Sequence, residues 1–151
     1  MANRSFPALN PIDIYYKTGA KYPPHPGIYD GDIGIDIYAD LDEPVNLLPL
    51  HGTFIDGGFE VAFGRGWAGL VVPRSSSNRK GLLVMTGVID NGFAGVIGAE
   101  VRNISPDPMI IAPGDRIAQL ILIAAFRPTP QAVVTLPTTD RGSNGWGSSG
   151  K

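Results

Sequence analysis

Apolar positions along this chain recur mostly with period two or in short runs: IGIDIYA from Ile33, FEVAF from Phe59, WAGLVV from Trp67, VIGAEV from Val96 and RIAQLILIAAF from Arg116. A two-residue repeat puts successive side chains on opposite faces of an extended backbone, so these runs predict strands. Glycine or proline punctuates nearly every gap, with 20 Gly and 14 Pro in the chain, and no stretch joins helical spacing to helix caps. The prediction is an all-β chain closed into a barrel or folded into a double sheet. RIAQLILIAAF fits a buried helix on pattern alone, but the APGD turn before it and Pro128 after it select a long buried strand. Residues 19 to 32 read as a Pro/Gly loop leading into the first strand, and residues 127 to 140 as a link from the last core strand to a tail. No internal repeat and no second domain are visible.

Length and charge narrow the function classes. A chain of 151 residues can bury a core as one domain. Twelve basic against fourteen acidic residues give a net charge of -2, so no global attraction to nucleic acid or to an anionic membrane is expected, and a bound anion must be met by local Arg or Lys. The absence of cysteine excludes disulfides, thiolate nucleophiles and Cys-based zinc sites. MANRSFPALN lacks the apolar run of a signal peptide, and no run reaches the roughly eighteen apolar residues of a membrane span, so a cytoplasmic location is expected. His25 and His51 sit in loop contexts without partner spacing and read as surface histidines.

Five segments carry candidate chemistry. In GVIDNGFAG, Asn91-Gly92 predicts a tight type I′ hairpin with Asp90 at its mouth and Phe93 beside it. Asp90 is there either a turn residue bonding its own backbone or a general base for an attacking water. PRSSSNRKG gathers Arg74, three serines, Arg79 and Lys80, which suits a phosphate chain or an ordinary polar loop. APGDRIAQLIL sets Arg116 and Gln119 inside a hydrophobic strand, where polar groups need partners; Gln119 meets either neighbouring backbone or a ligand. DIGIDIYAD places Asp32, Asp36 and Asp40 at even spacing, either as a water-bridged hold on Mg²⁺ or as edge-strand charges. RGSNGWGSSGK has the composition of a solvated, disordered end, which leaves Trp146 unexplained. Gly145, Gly150 and Lys151 there imitate a phosphate loop, but the Ser/Thr and the helix that such a loop requires do not follow.

Taken in order, GIDIYA, PRSSSNRKG, GVIDNGFAG, PGDRIAQLIL and RGSNGWGSSG resemble the five motifs of the homotrimeric dUTPase family. The resemblance implies one dUTPase-like domain over residues 1–151, with a distorted jelly-roll-like β-barrel core at about 5–127 and a linker and flexible C-terminal arm at 128–151. It further implies a trimer with active sites shared between subunits and Mg²⁺-assisted hydrolysis of dUTP to dUMP and pyrophosphate. Asp90 is the implied base, activating water for in-line attack on the α-phosphorus. Arg74, Ser75, Ser76 and Gln119 are the implied phosphate binders, and Asp36 holds the ion through water. Gly87, Val88, Ile89 and Gly98 read the uracil edge, and Phe93 packs on the deoxyribose. In the arm, Arg141 meets terminal phosphate oxygens, Ser143, Gly147 and Ser148 offer backbone N–H groups, and Trp146 stacks on the uracil. That role accounts for the tryptophan in the tail.

The chain departs from the family pattern at Phe93, where Tyr is usual, at Ser76, where Gly is usual, and at Trp146, where Phe is most common. The segment from Arg74 to Asp90 is also slightly short. Phe93 keeps the ring that excludes a 2′-hydroxyl, so sugar selection is expected to survive. The nearest alternative is a dCTP deaminase, mono- or bifunctional, with Glu100 as proton shuttle, although such enzymes generally lack a fifth motif of this kind. A phage-type dUTPase that also captures a regulatory protein is a further alternative, using the N-terminal segment or the ISPDPM loop. A catalytically dead trimer would lack Asp90, Arg74 or Arg141, and all three are present.

Overall fold

The computed structural model describes residues 14–17, 19–25, 27–29, 31–140, 142 and 143. The elements, in order, are β1 (Ile14–Tyr16), β2 (Ile35–Tyr38), β3 (Val45–Leu47), β4 (Gly52–Phe63), β5 (Trp67–Val72), α1 (Ser75–Arg79), β6 (Leu82–Val84), β7 (Gly87–Ile89), β8 (Gly95–Asn103), β9 (Met109–Ile111) and β10 (Arg116–Ala124). Every ladder is antiparallel. One four-stranded sheet has the order β1-β4-β8-β6, a second β2-β10-β5-β7, and β3 pairs with β9. Strands distant in sequence are therefore neighbours in space, as the expected jelly-roll requires. Among the described residues no helix is long and apolar enough to cross a membrane.

Period two decides which side chains form the core. Along β8, Ile97, Ala99, Val101 and Asn103 face inward, while Val96 and Arg102 face out. Along β4, Ile55, Phe59, Val61 and Phe63 do the same. These meet Ile37, Val71, Ile117 and Leu120 of the second sheet in one hydrophobic cluster. β4 is much longer than the FEVAF run suggests because a bulge interrupts its pattern: Asp56 opposes Gly98, whereas Phe59 opposes Ile97. Two extra residues, Gly57 and Gly58, preserve the inside–outside parity on both sides of the bulge. Both need to be glycine. A Cβ on Gly57 would lie 2.6 Å from the Ile97 carbonyl oxygen, and Gly58 has φ +73°.

Two expectations are corrected. PRSSSNRKG is not an open loop: after Pro73 it forms α1, whose Ser77 is buried with Oγ 3.5 Å from the Ile117 carbonyl oxygen. Nor do the strands flanking Asn91-Gly92 form a hairpin. β7 pairs with β5, and β8 pairs with β4 and β6, so the turn carries the chain from one sheet to the other. Gly92 has φ +90° but Asn91 does not have positive φ, and the Phe93 N–H donates to the Asp90 carbonyl at 3.1 Å. Those are the φ signs of a type II turn, not of type I′.

Candidate functional site

At one end of the second sheet, Asp36 on β2 stands opposite Gln119 on β10, which stands opposite Val72 on β5. Opposed residues of an antiparallel pair project to the same face, so the carboxylate and the amide lie side by side. β5 stops at Pro73, and Arg74 then turns back over this face. Asp36 holds two guanidiniums at once: Oδ1 lies 2.7 Å from Arg74 Nε, and Oδ2 3.2 Å from Arg116 Nη1. Arg74 Nη1 donates to Ser76 Oγ at 3.2 Å, so the side chain that Ser76 adds relative to glycine orients the arginine. Gln119 Nε2 donates to the Pro73 carbonyl at 3.0 Å. Its Oε1 lies against Gly34, where a Cβ would come within 2.3 Å of it. Asp36, Arg74, Ser75, Ser76, Arg116 and Gln119 together line a cavity of about 540 Å³.

The structure brings Asp36, Arg74, Ser75, Ser76 and Gln119 together around one cavity, and it adds Arg116. The sequence signal for Arg116 is a cation at the head of an otherwise apolar strand; its partner, 80 residues away, is not visible there. The evenly spaced aspartates do not act as a row. β2 contains only Asp36 of the three. Asp32 Oδ2 accepts the Tyr29 N–H at 3.1 Å, and Asp40 pairs with Lys21 at 3.1 Å, which raises the pKa of that lysine above its ordinary value.

A second cavity, of about 370 Å³, lies between β5 and β7 of the second sheet and β4 and β8 of the first, and is mostly apolar. Gly87, Ile89, Phe93 and Gly98 line it with Phe54 and Met85, and Glu100 is its one carboxylate among the described residues. Glycine at 98 makes room for the Phe54 ring, since a Cβ there would lie 2.4 Å from Phe54 Cζ. The Phe93 ring folds over Gly95, where a Cβ would lie 2.8 Å from Phe93 Cζ. Val88 faces away from this cavity and is 64 % exposed. Asp90 is exposed, and its carboxylate makes no hydrogen bond or ion pair among the described residues. The turn beneath it is pinned by Asn91 Nδ2, which donates to the Gly64 carbonyl at 2.8 Å.

The two cavities do not meet on one chain. β7 runs antiparallel to β5, so Ile89 is opposite Gly69, while Arg74 follows Val72 at the far end of β5. Gly69 to Val72 spans about 10 Å of strand, and Asp90 and Arg74 continue outward in opposite directions. Ser143 lies in an exposed turn, away from both cavities. Arg141, Trp146, Gly147 and Ser148 lie outside the described residues.

A sequence model of the dUTPase family matches residues 23–150. The deoxyuridine 5'-triphosphate nucleotidohydrolase of Coxiella burnetii is 32% identical over 139 residues, which cover 89% of this chain and 91% of that protein. That of Escherichia coli O9:H4 is 31% identical over 139 residues, covering 89% and 92%. Among solved structures, the dUTPase of Staphylococcus bacteriophage 80alpha with dUPNHPP is similar with a TM-score of 0.78 at 25% identity, over 92% of this chain and 99% of that one. A mutant dUTPase from phage phi11 of S. aureus, described with a structural Mg(II) ion, shares the fold with a TM-score of 0.73 at 22% identity, over 83% and 99%.

Proposed function

The chain belongs to the dUTPase family, and from that premise we infer that it is a dUTP diphosphatase, hydrolysing dUTP to dUMP and pyrophosphate. The observation that carries the reading is the convergence of Asp36, Arg74, Ser76 and Gln119, drawn from three separate segments, in one polar cavity with two guanidiniums. Arginines and amides at fixed positions bind a phosphate chain and neutralise charge as it builds on the leaving group. Such a displacement requires positioning and charge neutralisation more than covalent help.

Asp90 supplies the base. Its exposed carboxylate, unpaired among the described residues, takes the proton of a water as the water oxygen bonds to the α-phosphorus. The bond between that phosphorus and the oxygen bridging to the β-phosphorus breaks, and pyrophosphate leaves. The apolar cavity takes the uracil and deoxyribose, with the backbone of Gly87, Val88, Ile89 and Gly98 at the base edge and Phe93 against the sugar. Because Arg74 and Asp90 stand at opposite ends of β5, one nucleotide reaches both only across a subunit contact. This supports a homotrimer with shared sites. Arg141, Ser143, Trp146, Gly147 and Ser148 would close the site from the arm of a neighbouring subunit.

Mg²⁺ fits this site only as a companion of the substrate. Both Asp36 oxygens already face guanidiniums, which leaves their remaining lone pairs for a water-bridged contact rather than direct ligation. No group of three or more His, Cys, Asp or Glu among the described residues is placed to hold a metal. When bound to the triphosphate, the ion supplies further charge neutralisation.

The test is pyrophosphate release from dUTP, dTTP, dCTP and UTP with Mg²⁺, with the nucleotide product identified by chromatography. Release from dUTP alone, giving dUMP, is expected. Conversion of dCTP to a uracil nucleotide would instead make Glu100 the central residue, and silence on all four would remove the activity.

A further inference from the structure

An antiparallel sheet that packs on one face is expected to carry polar residues on the other. The first sheet departs from this along β8 and its neighbours β4 and β6. On its outer face Phe54 is 60 % exposed, Met85, just after β6, is 53 % exposed, and Val96 and Leu83 are exposed beside them. No described segment of the chain covers them. A contiguous apolar patch of this kind marks a contact surface. Two opposite charges stand within it. Glu100 is opposite Phe54, and Arg102 is opposite Gly52 on β4 and Leu83 on β6, so both project to the outer face, about 7 Å apart along β8. Both head groups turn toward Gly52, where a Cβ would lie 3.4 Å from Glu100 Oε1 and 3.5 Å from Arg102 Nε. Yet neither side chain makes an ion pair or hydrogen bond with the other, or with anything else among the described residues.

We propose that copies of this chain meet through this face, with Glu100 of each copy paired to Arg102 of the next. Two observations select a second copy as the occupant. A patch that carries one charge of each sign is complementary to itself, and in a closed ring every Glu100 finds an Arg102. The apolar cavity also borders this face and shares Phe54, Met85, Val96 and Glu100 with it. That cavity is where a shared site needs its neighbour. The proposal rests on the reading of the protein as a dUTP diphosphatase with shared sites, and extends it by naming the contact surface and the residues that match across it. The pairing also acts on the site. Glu100 is the one carboxylate of the apolar cavity among the described residues, and left bare it opposes a polyanionic nucleotide. A guanidinium from the next copy cancels that charge, which makes Arg102 a positioning residue that works through Glu100.

The experiment reads light-scattering mass over a dilution series for the wild-type full chain, Glu100→Arg, Arg102→Glu, the charge swap that combines them, and the control Glu43→Arg in the exposed turn before β3. Pyrophosphate release from dUTP is followed alongside. Each single reversal sets like charges against each other across the contact and should weaken assembly roughly tenfold or more, with turnover at high dilution falling in step. The swap should regain most of both, and Glu43→Arg should lose neither. Arg102→Gln, held at a concentration that keeps the wild-type mass, should raise KM for dUTP several-fold and leave kcat within a few-fold. A second reading needs no charge reversal. The chain contains no cysteine, so Glu100→Cys and Arg102→Cys chains, refolded together and oxidised with diamide, should link on a non-reducing gel far better than either alone. Mass indifferent to both single reversals, a swap that stays dissociated, or absent cross-linking overturns the contact, while normal dUTP turnover leaves the activity standing. Swap-dependent assembly of a chain that never cleaves dUTP keeps the contact and removes the diphosphatase reading.

Discussion

Asn103 is fully buried at the end of β8, and both halves of its amide are used. Nδ2 donates to the carbonyls of Leu47 at 2.9 Å and Asp107 at 2.8 Å, while Oδ1 accepts from Ser105 N–H at 2.9 Å and Ser105 Oγ at 2.7 Å. One side chain thus ties β3, β8 and the loop before β9 in a place where water does not reach. Asn103→Ala leaves those partners unsatisfied as well as opening a gap. A loss of about 2–4 kcal/mol is expected, read as a lower urea midpoint at unchanged m-value. Asp90 presents the opposite case, an exposed carboxylate without a partner among the described residues. Asp90→Asn keeps its shape and removes its capacity to take a proton. Turnover of dUTP should fall by about 10²- to 10⁴-fold. Affinity for a non-hydrolysable dUTP analogue, measured by calorimetry, should stay within a few-fold of wild type. Turnover near wild type would exclude Asp90 as the base.

The turn from Asp90 to Phe93 acts at the scale of elements, because it alone joins β7 of one sheet to β8 of the other. Gly92 holds φ +90°, and Ala in that region is strained by roughly 1–2 kcal/mol. Among the described residues nothing lies within 4 Å of its Cβ position, so the effect of Gly92→Ala is backbone strain rather than a clash. The strain falls two residues from Asp90, the proposed base; kcat is expected to drop more than KM rises, with a melting shift of roughly 2–8 °C. The same turn marks a limit of sequence reading. Asn-Gly announces a positive φ, but not which strand the next segment will join. WAGLVV became β5 residue for residue because its neighbours on both sides are regular strands. The FEVAF run showed only half of β4, since the paired glycines of a bulge look like a loop boundary. α1 is too short at five residues to display a helical repeat, and the three-residue strands β1, β3, β6, β7 and β9 hold too few alternations to count. Asp36, Arg74, Ser76 and Gln119 were legible one segment at a time. What brought them together was the crossover order β2-β10-β5, which is set by packing of the whole core and leaves no local mark.

For the whole molecule, the decisive geometry is that Arg74 and Asp90 sit at opposite ends of β5 on the same chain. If catalysis needs both, each working site draws them from different chains, and two inactive variants should repair each other. Arg74→Ala lacks the proposed phosphate clamp, and Asp90→Asn lacks the proposed base. Neither alone should release pyrophosphate at more than a small fraction of the wild-type rate. Unfolded together at equal amounts and refolded into mixed trimers, a site is whole wherever an Arg74→Ala chain lends its Asp90 to an Asp90→Asn chain that lends its Arg74. Random assortment makes that roughly a quarter of all sites in a closed cyclic assembly. Recovery near that fraction, in a species whose light-scattering mass is three times the 16.0 kDa chain, is the expected result. Variants refolded separately and then mixed without exchange should stay inactive, which separates shared sites from contamination by wild type. No recovery in verified mixed trimers would mean that each chain completes its own site, and the exposed turn at Asp90 would then have to move by more than the length of β5 to meet the phosphates.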